Sequence, residues 1–240
     1  MKRLFVLAAC LLILFSSCHY FHGKKIKGNG NVTTQTRSFS NFKGVDVSSA
    51  IDLYIKQDPA FSVKVEIDED LQQYIIITVE HDVLHIRQEN NTSLDATGKI
   101  KVYVSAPAFK EILASGACKV ISENLLTTPD AIVIHVSGAS NATLELKAPR
   151  ISADMTGASE IKLKGETKDL SIEGSGASHA RCFDLMSENA DIELSGASSA
   201  NVMASVKIDA KASGASDVRY KGNASVSQNT SGAASVKKVE

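Results

Sequence analysis

Asp154, Glu173 and Glu193 lie 19 and 20 residues apart, and each stands three residues before a glycine. Asp191 and Asp209 stand five residues before the later glycines of the same series. If that spacing brings the carboxylates to one side of the fold, adjacent ones lie about 5 Å apart. Oxygens at that separation could share a calcium ion, which takes about six to eight oxygen ligands. Asp154, Glu173, Glu193 and Asp191 are therefore the candidate ligand or calcium stripe. A uronate-cleaving enzyme would also need a cation close to those carboxylates, as a base or to stabilise developing charge. Lys162, Arg181 and Arg219, each five residues after a glycine, are the available cations. The two sets fall on either side of the glycine, which argues against one compact catalytic group. His135 precedes the acidic run and Lys211 follows it, and charge on an outward strand face commonly serves solvation and protects sheet edges. No catalytic residue, metal site or cofactor is assigned.

Other chemistry is weaker. Ser-Gly-Ala-Ser begins at Ser137, Ser175, Ser195 and Ser213, with near copies at Ser115, Thr156 and Ser231. It does not match the G-x-S-x-G nucleophile elbow, and no histidine accompanies its copies. His81 and His85 are four apart but sit among strand-like residues without a third ligand. No phosphate loop, zinc spacing or nucleotide fingerprint is present.

The elements that hold these residues follow from the period. The glycines are Gly116, Gly138, Gly157, Gly176, Gly196, Gly214 and Gly232, at intervals of 22, 19, 19, 20, 18 and 18 residues. Apolar or small residues recur two, four and six before each glycine, as in Ile132, Ile134 and Val136. They recur again four and six after it, as in Ile161 and Leu163. Period-two alternation on both sides of a small-residue corner means two strands with one apolar face each. One such unit cannot bury its face alone, whereas stacked units can. The expected fold is all-β, a right-handed parallel β-helix of about 18–22 residues per coil. At each corner glycine supplies positive φ, the following alanine is expected to point into the tight interior, and the hydroxyls to form ladders.

Residues 39–240 are the expected β-helix domain, with an irregular β-rich part at 39–110 and regular repeats at 111–240. Strand-like alternation marks 45–55, 61–67, 75–79, 83–86 and 100–104, and short helices are conceivable at Asp68 to Tyr74 and Ala108 to Leu113. Ahead of them, Met1-Lys2-Arg3 and an apolar run from Leu4 to Phe15 have the order of a secretory signal. That run is shorter than the roughly 20 residues of a spanning helix. Leu14-Phe15-Ser16-Ser17-Cys18 resembles a bacterial lipobox, so residues 1–17 are read as a signal peptide and Cys18 as the lipidation site, with ordinary secretion as the alternative. Residues 18–38, polar and glycine-bearing, read as the tether. Loss of residues 1–17 leaves 24 basic against 27 acidic residues, a net charge of about −3. That argues against a nucleic-acid partner. Cys118 and Cys182 belong three coils apart, about 14 Å at sheet spacing, too far for a disulfide.

"NFKGVDVSSAIDLYI" (Asn41 to Ile55), followed by serial Ser-Gly-Ala-Ser corners behind a lipoprotein signal, resembles the auto-transporter adhesin head domain family named for its GIN domain. The resemblance covers roughly Phe39 to Val239. It implies a β-helix without a recognised catalytic set and a role in cell adhesion. The expectation is a non-catalytic envelope lipoprotein of the outer membrane, tethered by lipid and binding a glycan or protein ligand. A polysaccharide-active enzyme of pectate-lyase type and a purely structural envelope protein are the alternatives. His19-Tyr20-Phe21-His22 lack the acidic run that resembles a surface-export signal, which leaves the facing side, periplasm or exterior, open along with the oligomeric state.

Overall fold

The computed structural model describes residues 23–240; the signal peptide and Cys18 lie outside them. The corners stack as the period requires. Strands entering a corner form one parallel ladder. Upward from the base it runs Val83–Gln88, Gly44–Val47, Glu111–Ala114 and Ile132–Val136, then through the second halves of four long strands. Strands leaving a corner form a second ladder from Lys101–Ala106 through Asp52–Gln57 and Lys119–Ser122 to Ser235–Lys238. We call these the entry and exit ladders. In the middle coils each exit strand continues into the next entry strand without a break, as in Asn141–Met155 and Glu160–Gly174. A second bend interrupts these long strands opposite the corner. At one such bend Gly165 has φ +118, and a Cβ there would lie 2.0 Å from the Leu146 carbonyl oxygen.

The inward columns read from the sequence are buried. Ile112, Ile134, Ile172 and Ile192 are 0 % exposed four residues before their glycines, as are Val120, Ile161, Ala200 and Val218 four residues after. Aliphatic rows at sheet spacing pack on one another from coil to coil, which burial of apolar area stabilises. Unequal coil lengths are absorbed away from the corners. Between Gly176 and Gly196 the register against the preceding strand shifts past Lys162, so that Lys164 pairs with Asp184. The extra residue forms a bulge at Phe183, as expected where one strand outruns its neighbour.

Three expectations are corrected. The alanine after each glycine is exposed, and it is the following serine that points inward: Ser140, Ser159, Ser178, Ser198 and Ser216 are 0 or 1 % exposed. Alternation explains this, because the inward phase of the exit strand, Val120 and its equivalents four after the glycine, extends back two residues to the serine. Cys118 and Ile51 occupy the same inward column in the two lowest coils and are also buried. The stretch read as tether is strand from Lys24 onward. Lys24–Lys27 pairs in parallel with Thr92–Asp95, and Val32–Arg37 pairs antiparallel with Ser62–Asp68. Residues 111–114 are strand rather than helix, whereas Glu69–Tyr74 does form one short 3-10 segment.

The part below Gly116 is also more regular than its sequence. Gly44–Val47 and Asp52–Gln57 form a full coil beneath the Gly116 coil, with Ser49 and Ala50 at the corner, both at positive φ (72° and 57°). Antiparallel strands close the base: Ile75–Glu80 on the entry side and Ser62–Asp68 on the exit side. Asp68 fastens this base. Fully buried, its carboxylate accepts hydrogen bonds from Gly30 N (2.8 Å), Thr97 N (2.9 Å) and Thr97 Oγ1 (2.7 Å). Those bonds hold its pKa below the usual carboxylate value.

Candidate functional site

The acidic stripe is a true column of the entry ladder. His135, Asp154, Glu173, Glu193 and Lys211 pair successively in register, and Asp191 pairs with Asp209 two residues away along the same strands. Its ends are neutralised within the column. His135 Nδ1 lies 2.8 Å from Asp154 Oδ2, and Lys211 Nζ lies 3.6 Å from Glu193 Oε2. Lys207 similarly approaches Asp209 at 3.6 Å. Glu173 and Asp191 have no ion-pair partner among the described residues. A shallow groove alongside is lined by Arg150, Ser152, Asp169, Asp191, Lys207 and Asp209, both signs together. Among the described residues no three His, Cys, Asp or Glu side chains converge as a cation site would require. A straight column offers each ion carboxylates from one side only, so the stripe does not make a calcium cage.

Lys162, Arg181 and Arg219 belong to the exit ladder, in a different column across the corner. Arg181 Nε is 2.9 Å from Glu160 Oε1, a partner on its own ladder. The structure therefore keeps the acidic and basic sets apart and builds no acid–base pair between them.

The corners have no nucleophile geometry. Ser198 Oγ donates to Ser195 O (2.8 Å), and Ser216 Oγ donates to Ser213 O (2.8 Å), each bracing its own turn. Ser178 Oγ donates to Ser198 Oγ at 3.2 Å, and Ser140 Oγ accepts Cys118 N–H at 3.1 Å. These hydroxyls face the interior and are inaccessible to a substrate. Cys118 and Cys182 are buried free thiols in coils three steps apart. Burial pushes the Cys182 thiol up to about 12, which suppresses the reactive thiolate. His81 lies at the turn before Val83–Gln88 with φ 51°, and His85 Nδ1 contacts Asp46 Oδ2 at 2.9 Å, so the two histidines do not act as a pair.

Sequence reasoning missed the aromatic end of the exit ladder. Tyr54 and Tyr103 occupy the same column as Lys162, five residues after the Ser49 corner and one coil below it. Their rings stack with centroids 5.0 Å apart and planes at 19°. Glu66 receives Lys101 Nζ at 2.8 Å and the Tyr103 hydroxyl at 3.4 Å. Burial, then the Glu66 charge, raises the Tyr103 pKa. The signal was the period itself, carried down to a corner without glycine.

Comparison with known proteins agrees with this architecture. A putative adhesin from Bacteroides fragilis NCTC 9343 superposes with a TM-score of 0.84 at 20% identity, over 89% of this chain and 100% of that one. A putative lipid binding protein from Parabacteroides distasonis ATCC 8503 gives 0.75 at 23% identity, over 90% and 100%. A putative adhesin from Parabacteroides merdae ATCC 43184 gives 0.71 at 22%, again over 90% and 100%. Likeness at this level of identity establishes the fold. No curated protein matches the chain. The family model described as "Putative auto-transporter adhesin, head GIN domain" matches residues 41–224, from the first coil through the last long strand and beyond, and the chain belongs to that family.

Proposed function

We propose that this is a non-catalytic envelope protein that binds glycan or protein ligands by surface contact and is held to the outer membrane by lipid on Cys18. The observation that carries this reading is the arrangement of its outward side chains. They form long single-file columns locked at sheet spacing, and the acids and bases that a lyase would need stand in separate columns. Arrays of this kind suit many weak contacts added along a polymer or a partner surface, and the adhesin family to which the chain belongs points the same way.

The binding half of the proposal is tested by a glycan array probed with the purified chain, alongside an assay for new reducing ends or unsaturated sugars. Binding without turnover is expected, and depolymerisation of any glycan on the array would sink it. The anchoring half is tested separately. Cys18→Ser should release the protein from the membrane fraction and abolish incorporation of labelled palmitate; unchanged membrane association in that variant would overturn lipid anchoring. Protease treatment of intact cells then decides which face of the outer membrane the body occupies.

A further inference from the structure

One column of the exit ladder is charged in a way that the rest of the molecule does not compensate. Lys162, Arg181, Asn201, Arg219 and Lys237 pair in unbroken register, four cations and an amide with no acid among them. All four cations are exposed. Like charges on adjoining strands of a sheet repel and lower its stability, so an array of this kind is usually broken by opposite charge. The acidic column of the entry ladder is broken in that manner, by His135 and Lys211. Here only Arg181 has an ion-pair partner, Glu160, from the neighbouring column; Lys162, Arg219 and Lys237 have none among the described residues. At about 4.8 Å per coil, Lys162 to Lys237 spans four steps, roughly 19 Å.

The flanking positions are polar and small. Two residues nearer the corner stand His179 and Ser199, hydrogen-bonded at 2.8 Å, and Ser235, which donates to Asp217. Below the cations the same column continues through Thr143 and Ile121 to the stacked rings of Tyr54 and Tyr103. Cations in single file, hydroxyl and amide groups beside them, and aromatic rings at one end are the recognition chemistry of a sugar chain bearing acidic groups. The step between coils is close to the length of one pyranose ring in an extended chain, so successive carboxylates can meet successive coils. A duplex or single-stranded nucleic acid fits less well. The chain is acidic overall, the entry ladder presents carboxylates, and the cation-bearing part of the column has no aromatic platform for bases.

The geometry points to this column as the binding site for a linear acidic glycan, a uronate or sulfated polysaccharide, lying along the axis of the coil with its anions on Lys162, Arg181, Arg219 and Lys237. The inference rests on the surface-binding reading above and names its ligand class. Single contacts at an exposed surface are weak; affinity must come from their repetition along one chain.

The experiment is titration of the purified full chain in detergent with polygalacturonate oligomers of increasing length, with dextran and single-stranded DNA as comparison polymers. Expected are saturable binding that strengthens with oligomer length until about five sugars, one per coil, and weakens with added salt. Lys162→Gln combined with Arg219→Gln should lower affinity by about tenfold. Lys207→Gln combined with Lys211→Gln removes the same charge from the entry ladder and should leave affinity unchanged. Equal loss in both double variants would show bulk charge alone and overturn the site. So would equal binding of single-stranded DNA, affinity independent of oligomer length, or no binding of the oligomers. Dextran bound in place of polygalacturonate would defeat the acidic-glycan assignment while the broader surface-binding reading survives, and cleavage of the oligomers would defeat that broader reading.

Discussion

The Gly157 carbonyl oxygen accepts the Ala177 N–H at 2.8 Å, and a Cβ placed on Gly176 would stand 2.7 Å from that same oxygen. Each regular corner thus rests directly on the carbonyl of the corner below, in a left-handed conformation that side chains resist. Gly176→Ala is expected to cost about 3 kcal/mol. At Gly116 the nearest atom to such a Cβ is Ser49 N at 3.4 Å, and the coil below already carries serine at φ 72°. Gly116→Ala should therefore cost about 1 kcal/mol. Urea unfolding of both variants checks the order, and an equal loss would refute the stacking argument.

The inward serines are not equivalent. Ser198 Oγ braces its corner, whereas Ser159 Oγ is buried with no hydrogen-bond partner. A buried hydroxyl without a partner is a cost, so Ser159→Ala should leave stability unchanged or raise it, while Ser198→Ala lowers it by about 1 kcal/mol. Thermal melts of the two variants separate these outcomes; Ser159→Ala losing as much as Ser198→Ala would contradict the assignment.

Acid should loosen the base first. The Asp68 carboxylate is held below its ordinary pKa by Thr97 and Gly30, so the stabilisation it provides is complete above the unfolded-state value of about 3.9. It is lost as the pH falls from there through the lower folded value. Asp68→Asn should flatten the fall of melting temperature in that window. Amide exchange at Gly30 and Thr97 should accelerate in the parent protein over the same interval, and a melting profile identical in both proteins would remove Asp68 from the account.

Cys182 is expected to stay silent toward alkylation. With its thiol raised to about 12 by burial, iodoacetamide at pH 8 should label it only after denaturation. Peptide mapping decides, and labelling of the native protein at Cys182 would show that the coil interior opens there.

The topmost coil closes the stack by polarity. Gln228, Thr230 and Lys238 stand where lower coils place residues such as Ile192, Leu194 and Val202, and all three are exposed. Polar residues at core positions of an edge strand oppose edge-to-edge pairing. Replacing the three by Ile, Val and Leu should turn the upper edge adhesive. Light scattering should then report association that the parent protein lacks at the same concentration; a triple variant that scatters like the parent would disprove the capping role.

The stack above Gly116 was legible because each coil repeats its signal within 18 to 22 residues. Alternation alone located Ile134, Ile172 and Ile192 in the core. The same alternation, carried two residues further, would have turned Ser140 inward and Ala139 outward; the appeal of a small residue for a tight corner overrode it. The Ser49 corner was hidden for a different reason. It lacks glycine, and its coil is separated from the next by the excursion through the antiparallel base. Val32–Arg37, reading VTTQTR, shows no apolar stripe because it lies at an edge, and its strand identity comes from Ser62–Asp68 some 30 residues away. The column from Tyr54 to Lys237 combined both difficulties: its members are individually ordinary, and only pairing register shows that they share a line.

Register has one more consequence. Because every middle coil hydrogen-bonds only to the coils above and below, and does so through the same corner contact, a whole coil can be gained or lost as a translation of everything above it. Deleting Gly157 through Gly176 in phase would bring Gly138 under Gly196 without disturbing the closed base or the polar top. Length in this architecture is a discrete quantity that mutation can count up or down, and the number of outward side chains in each column changes by one with every step.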